Sequence, residues 1–192
     1  MMEKVRLLNT HVNNLTLDEA VEFLLQKVRA HTPAYVVEVN VDVMVKMEQD
    51  VQLRQIADKA DLTLVDGQPL VWIARWYGRP LKAKISGSDL VPALLQKAAG
   101  QGCSVFVLGG KADAARKAAE NLRRDYPGLR IAGALSPSMG FERRPEELEA
   151  IRTMLQAAKP DILLACFGCP KQEKWVSAHY RDCAAGVTLC AG

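Results

Sequence analysis

No stretch of this 192-residue chain approaches the run of about 20 apolar residues that spans a bilayer. Its N-terminus, Met1 to Arg6, lacks the apolar core of a signal peptide, so a cytoplasmic location is the default expectation. Cysteine is odd in number, five in all, with Cys103, Cys166, Cys183 and Cys190 in apolar, strand-like settings that suit reduced thiols. One CxxC occurs, Cys166-Phe167-Gly168-Cys169, at a strand-to-helix junction. Such a motif is either a thioredoxin-like redox pair or a buried strand residue followed by a turn residue, and alone it favours the second. No second pair at zinc-binding spacing exists, and His11, His31 and His179 are scattered like solvated surface residues.

Other signatures are missing too. No Asp-x-Asp is present to hold a divalent ion on a nucleotide diphosphate, and no G-x-S-x-G elbow is present for a serine hydrolase. The spacings of G-x-G-x-x-G and of the P-loop are absent. No Lys/Arg run stands beside interleaved aromatics, so the net charge of +3 fits an anionic small molecule or membrane surface and does not argue for nucleic acid.

What the chain has is a steady alternation of strand and helix signals. Val5 to Leu8, Tyr35 to Val39, Leu62 to Val65, Ser104 to Leu108, Leu129 to Ala132, Ile162 to Phe167 and Val187 to Cys190 read as strands. Between them lie helical periodicities. The first opens on the capping box of Thr16 and Glu19, and others run over Leu70 to Trp76, Ser88 to Ala99, Ala112 to Arg124 and Pro145 to Ala158. Strands apolar on both faces and separated by amphipathic helices predict a Rossmann-like α/β fold, with a mostly parallel sheet covered on both sides. The chain is long enough for one domain, residues 1–192, with two closely joined lobes at 1–100 and 101–192. It stops at Gly192, directly after an apolar strand with nothing to cover its following edge, which predicts a native continuation into a closing element.

Ligands of such sheets bind beyond the carboxyl ends of the strands. Four ends carry suitable residues: Glu38-Val39-Asn40, Asp66-Gly67, Gly109-Gly110-Lys111, and Gly168-Cys169-Pro170-Lys171-Gln172. Asp66 is a lone carboxylate after an apolar run, and is either a general base or the cap of the next helix, capping being the commoner role. Gly109 and Gly110 would let backbone approach a phosphate, or form an ordinary turn. Ser86-Gly87-Ser88-Asp89 is either a binding loop or a plain helix start with Ser88 as cap, the cap being favoured. Pro170 suits a first helical position, and the Lys171 to Trp175 cluster is either an anion-holding helix start or a solvated charge run.

Together these ends resemble the TagA/WecG/CpsF glycosyltransferases (glycosyltransferase family 26) from near residue 4 to the chain's end. The matching segments are Val39-Asn40, Ala60 to Gly67, Gly78 to Leu81, Gly87 to Leu90, Leu108 to Gly110, Tyr126 to Ile131, and Pro160 to Trp175. The resemblance implies an inverting enzyme that uses neither metal nor cofactor. It would move an N-acetylmannosamine-type sugar from a UDP-N-acetylhexosamine donor to a polyprenyl-diphosphate-linked saccharide, in teichoic acid-like or other surface-polymer synthesis. It implies Asp66 as general base, and a substrate pocket drawn from Glu38, Asn40, Gly67, Lys84, Gly109, Gly110, Gly140, Gly168, Lys171 and Gln172. Homo-oligomers, and peripheral attachment at the inner face of the plasma membrane through a C-terminal appendage beyond residue 192, are also implied. This sequence departs from the pattern in three places. Glu38 stands where many members have Thr, Lys84 where others have Arg, and Ser136 to Phe141 replaces a His-Gly-Tyr-Phe-like loop. The alternatives are a non-catalytic UDP-sugar-binding module and a CxxC redox protein.

Overall fold

Successive side chains of a strand face opposite ways, and here both directions are apolar. Tyr35, Val37 and Val39 enter one buried cluster while Ala34 and Val36 enter the other. Phe106 and Leu108 part from Val105 and Val107 in the same way, as do Leu163 and Ala165 from Ile162 and Leu164. Such strands require cover on both faces, and receive it. The computed structural model describes residues 3–192.

The chain begins with a hairpin, β1 (Lys4–Leu7) and β2 (Thr10–Asn13), antiparallel with Leu7 opposite Thr10. The sequence suggested only its first strand. Then follow α1 (Leu17–Arg29), β3 (Ala34–Val39), α2 (Val41–Gln49), α3 (Val51–Lys59), β4 (Leu62–Val65), α4 (Gln68–Trp76), α5 (Gly87–Ala99) and β5 (Ser104–Gly109). The remainder is α6 (Ala114–Asp125), β6 (Arg130–Leu135), a 3-10 turn at Phe141–Arg143, α7 (Pro145–Ala158), β7 (Ile162–Cys166), α8 (Lys171–His179) and β8 (Val187–Cys190). Six strands form one sheet in the order β4-β3-β8-β7-β5-β6, every neighbouring pair parallel. The Rossmann-like α/β class is therefore what the chain adopts, and the sheet runs unbroken through strands from either side of residue 100.

Helices α1 and α5 pack on one face through Leu24, Leu25, Val28, Leu90, Leu94 and Leu95. Helices α2, α3, α7 and α8 cover the other through Met47, Leu53, Ile56, Ile151, Leu155 and Val176. The capping box is present: Glu19 N–H donates to Thr16 Oγ1 at 3.3 Å and Thr16 N–H to the Glu19 carboxylate at 2.7 Å.

The last strand is not at a sheet edge, as its position after the final helix suggested. β8 is inserted between β3 and β7, pairing Val187 with both Ala34 and Ile162. Both of its edges are thereby hydrogen-bonded and all four residues are buried. Because every strand of the six-stranded sheet is parallel, the segments after β3, β4, β5, β6, β7 and β8 emerge along a single rim. That rim collects the polar residues picked out in the sequence.

Candidate active site

The rim has two parts, on either side of the end of β8. One follows β3 and β4. Val39 pairs with Val65, so the next residues, Asn40 and Asp66, leave the sheet side by side, and Asp66 N–H donates to Val39 C=O at 2.8 Å. Asp66 is not the helix cap that its residue type favoured. Gly67 occupies the N-cap of α4, with φ +127°, and no side chain caps that helix. The Asp66 carboxylate is partly exposed and has no hydrogen-bond or ion-pair partner among the described residues. Asn40 caps α2, its Oδ1 accepting from Val43 N–H at 3.0 Å.

Glu38 shares its side of the sheet with Val36 and Leu64, and therefore points under the start of α5. The carboxyl lies so close to Gly87 that a Cβ there would stand 2.8 Å from Oε2 and 3.1 Å from Oε1. Only glycine gives the carboxyl this space. Oε1 is buried without a hydrogen-bond partner. Burial pushes the Glu38 carboxyl up to about 8, Asp66 adding to the rise, while the Gly87 backbone amide offsets part of it.

Helix α5 is capped by Ser86, not Ser88: the Ser86 hydroxyl donates to Asp89 Oδ2 at 2.6 Å. Lys84 stands beside this cap, 3.0 Å from Ser86 Oγ and 2.7 Å from Asp89 Oδ2. The bond to Asp89 holds the Lys84 ammonium firmly charged. Ser86 and Asp89 belong to the segment read as a loop or helix start, and Ser-x-x-Asp before an apolar run is the capping signature that marks Ser86 rather than Ser88 as the cap.

The second part follows β5, β6 and β7. An open cleft of about 560 Å³ is lined by Gly110, Lys111, Ser136, Met139, Phe167 and Lys171 among others. Phe141 and Phe167 line it too, their rings 4.8 Å apart, with Trp175 packed 5.5 Å from Phe167. Lys171 pairs with Glu142 at 3.3 Å. Gly110 is exposed at the cleft wall, whereas Gly109 is buried inside the sheet. With φ +132° and a Cβ position only 2.3 Å from Cys166 C=O, Gly109 serves the close approach of β5 to β7. Gly140 sits beside the cleft, at the N-cap of the 3-10 turn between Met139 and Phe141.

The charged cluster of α8 is not a solvated face. Gln172, Glu173 and Trp175 are buried, and Pro170 is the N-cap, one position outside the helix. Gln172 Oε1 accepts from Gly168 N–H and from Gly192 N–H, both at 3.1 Å, and its Nε2 donates to Glu173 Oε1 at 3.0 Å. Gln172 thus ties the loop after β7 to the segment after β8, with neither end of its amide turned to the cleft. Gly168 is held by the same bond. Glu173, absent from the sequence candidates, is 1% exposed and keeps Oε2 unpartnered.

The surroundings of the CxxC disfavour the thiolate form of both cysteines. Reactive thiols have depressed pKa values, yet burial and Glu173 push Cys169 up to about 12, and burial raises Cys166 as well. All five cysteines are free. Among the described residues no group of three His, Cys, Asp or Glu side chains is disposed to hold a metal ion, and no helix is long and apolar enough to cross a membrane.

A profile of the Glycosyl transferase WecG/TagA/CpsF family matches residues 5–192. The chain belongs to that family. It is also similar to the N-acetylglucosaminyldiphosphoundecaprenol N-acetyl-beta-D-mannosaminyltransferase of Bacillus spizizenii, 29% identical over 146 residues. That match covers 76% of this chain and 54% of the relative, so the chain spans about half the length of the curated relative it matches.

Proposed function

We propose that this chain carries the catalytic rim of an inverting glycosyltransferase. The donor is a UDP-linked N-acetylmannosamine-type sugar, and the acceptor is a saccharide carried on a polyprenyl diphosphate. The reading rests above all on one observation: Asp66 is a carboxylate without a partner among the described residues, at the carboxyl edge of a parallel sheet, on the rim that also bears an open cleft. The Bacillus spizizenii relative, an N-acetyl-beta-D-mannosaminyltransferase by name, supports the choice of sugar and acceptor.

In this reading the acceptor hydroxyl attacks the sugar's anomeric carbon from the face opposite UDP. Asp66 accepts the hydroxyl proton as the new glycosidic bond forms and the bond to UDP breaks, which inverts the anomeric configuration. The departing diphosphate gains negative charge. No metal is invoked: Lys111 and Lys171 at the cleft, and Lys84 beside the α5 N-terminus, supply positive charge on the rim. Phe141 and Phe167 offer an apolar wall for a uracil ring. Glu38 stands where the acceptor or sugar hydroxyls approach Asp66. A largely protonated carboxyl there donates a hydrogen bond rather than repelling the Asp66 carboxylate.

Calorimetric titration of UDP tests the nucleotide half of the proposal, with binding expected at micromolar to millimolar levels. Proton NMR of the product tests the stereochemistry. A product that keeps the donor's anomeric configuration, or the absence of UDP binding, contradicts the reading. A chain that binds UDP but transfers no sugar to any lipid-linked acceptor is a binding module instead.

A further inference from the structure

The two helices that follow Asn40 and Asp66 carry an apolar surface on which nothing is packed among the described residues. Helix α2 exposes Val41 and Val45. Helix α4 exposes Trp72 at 64% and Trp76 at 85%, and Tyr77 follows at 63%. Trp72 and Trp76 are four residues apart and so share one helix face; the Trp76 and Tyr77 rings meet edge-on at 5.8 Å. Leu8, at the tip of the β1–β2 hairpin, continues the surface. Leu8 and Val45 also line an apolar groove of about 170 Å³ between α2 and α4. Single exposed apolar residues are ordinary, but six in one connected area, three of them aromatic, are not.

The border of this area is cationic. Arg6 and Arg79 share a surface recess with Leu8 and Tyr77, and Arg79 Nη1 donates to Arg6 C=O at 2.8 Å. Arg75 lies on α4 itself and is exposed. None of these three arginines has a carboxylate partner among the described residues. On the acidic side, Asp42 is paired with Lys46, while Glu48 and Glu3 keep their charge and accept from Asn9 Nδ2 at 2.6 Å and from Asn14, so the three arginines leave a small cationic excess. Exposed Trp and Tyr beside unpaired arginine is the chemistry that settles at a headgroup–acyl boundary of anionic lipid. A second copy of the chain suits it less, because a two-fold contact lays the same patch on itself and sets arginine against arginine.

We infer that the α2–α4 face docks the protein on an anionic bilayer, with Trp72, Trp76 and Tyr77 in the interface and Arg6, Arg75 and Arg79 on lipid phosphates. Both helices begin at the rim, so this contact holds the Asp66 edge next to the membrane, within reach of a lipid-borne acceptor. That purpose rests on the function proposed above; the docking itself does not.

The test uses the 192-residue chain with phosphatidylglycerol-containing vesicles and with phosphatidylcholine vesicles. Because Trp175 is buried, changes in tryptophan emission report Trp72 and Trp76. Anionic vesicles are expected to shift the emission to the blue, and brominated acyl chains to quench it. Co-sedimentation should weaken at least about ten-fold in the double variant Trp72→Ser/Trp76→Ser, and again in Arg75→Glu or at about 0.5 M salt. Circular dichroism, the unfolding midpoint and lipid-free UDP binding should stay unchanged in these variants, since the residues are exposed. No binding of the wild-type chain to anionic vesicles overturns the inference, as does binding that both variants retain. A concentration-dependent doubling of mass that the tryptophan variant abolishes, with vesicles unable to compete, assigns the face to a second copy and also overturns it. Loss of UDP binding alone would count against the proposed function and leave the docking result standing.

Discussion

Glu38 and Gly87 are fitted to one another: a Cβ at Gly87 would lie 2.8 Å from Glu38 Oε2. The clash is with the movable end of a side chain, so Gly87→Ala should cost little stability, about 1 kcal/mol or less, while displacing the carboxyl. In a Glu38→Thr background the same change should be neutral or stabilising. Chemical denaturation of the two single variants and the double variant gives the coupling, expected at about 0.5 kcal/mol or more. Strict additivity would contradict the fit.

Glu38 also makes stability depend on pH. Burial holds its carboxyl at about 8 in the folded chain, against an ordinary 4.5 for an exposed glutamate. Between these values the folded state keeps a proton that the unfolded state has lost, so stability falls as pH rises, by at most about 1.4 kcal/mol per unit. Below this window Glu38 contributes no slope, and above it the loss is complete. Glu38→Gln should flatten the slope and exceed the wild type in stability at alkaline pH. Urea midpoints across the window check it, and parallel curves for the two proteins would exclude the assignment.

Gln172 joins three pieces of backbone and side chain at the end of β7. Gln172→Ala leaves the N–H groups of Gly168 and Gly192 without their acceptor, a loss of about 2–3 kcal/mol. Differential scanning calorimetry should show a clearly lowered midpoint, and hydrogen exchange should quicken at Gly168. An unchanged midpoint would mean that water or another group replaces the amide.

Cys169 should be sluggish towards alkylation. With its thiol at about 12, only a minute thiolate fraction exists near neutral pH. Iodoacetamide labelling followed by mass spectrometry should modify Cys169 far more slowly than a free model thiol. Cys169→Ser should leave UDP binding intact.

Much of this arrangement was legible before any coordinates. Asp66 stood out as one carboxylate ending the apolar run Leu62 to Val65, and the run made a buried strand with its end at the rim. The helix cap of Thr16 and Glu19 was readable because both partners lie within one turn. Three features were hidden for physical reasons. Thr10 to Asn13 has too few apolar residues to announce a strand, since the buried Thr10 hydroxyl and Asn13 Oδ1 find their partners in distant groups, Asp58 Oδ1 and Thr63 N–H. Val187 to Cys190 carries the pattern of any inner strand, so its place between β3 and β7 depended on long-range pairing. Glu173 sat in a charged run that resembled a solvated face, although Gln172, Trp175 and Val176, at helical spacing, traced the buried stripe that covers it.

The central claim is that Asp66 takes the acceptor's proton. Its most direct test is the rate of sugar transfer from UDP-N-acetylmannosamine to a polyprenyl-diphosphate-linked N-acetylglucosamine, measured for wild type and Asp66→Asn alongside UDP affinity. The account predicts a fall in kcat of about 10²–10⁴-fold, with UDP affinity and fold essentially unchanged. Transfer by Asp66→Asn at the wild-type rate would contradict it.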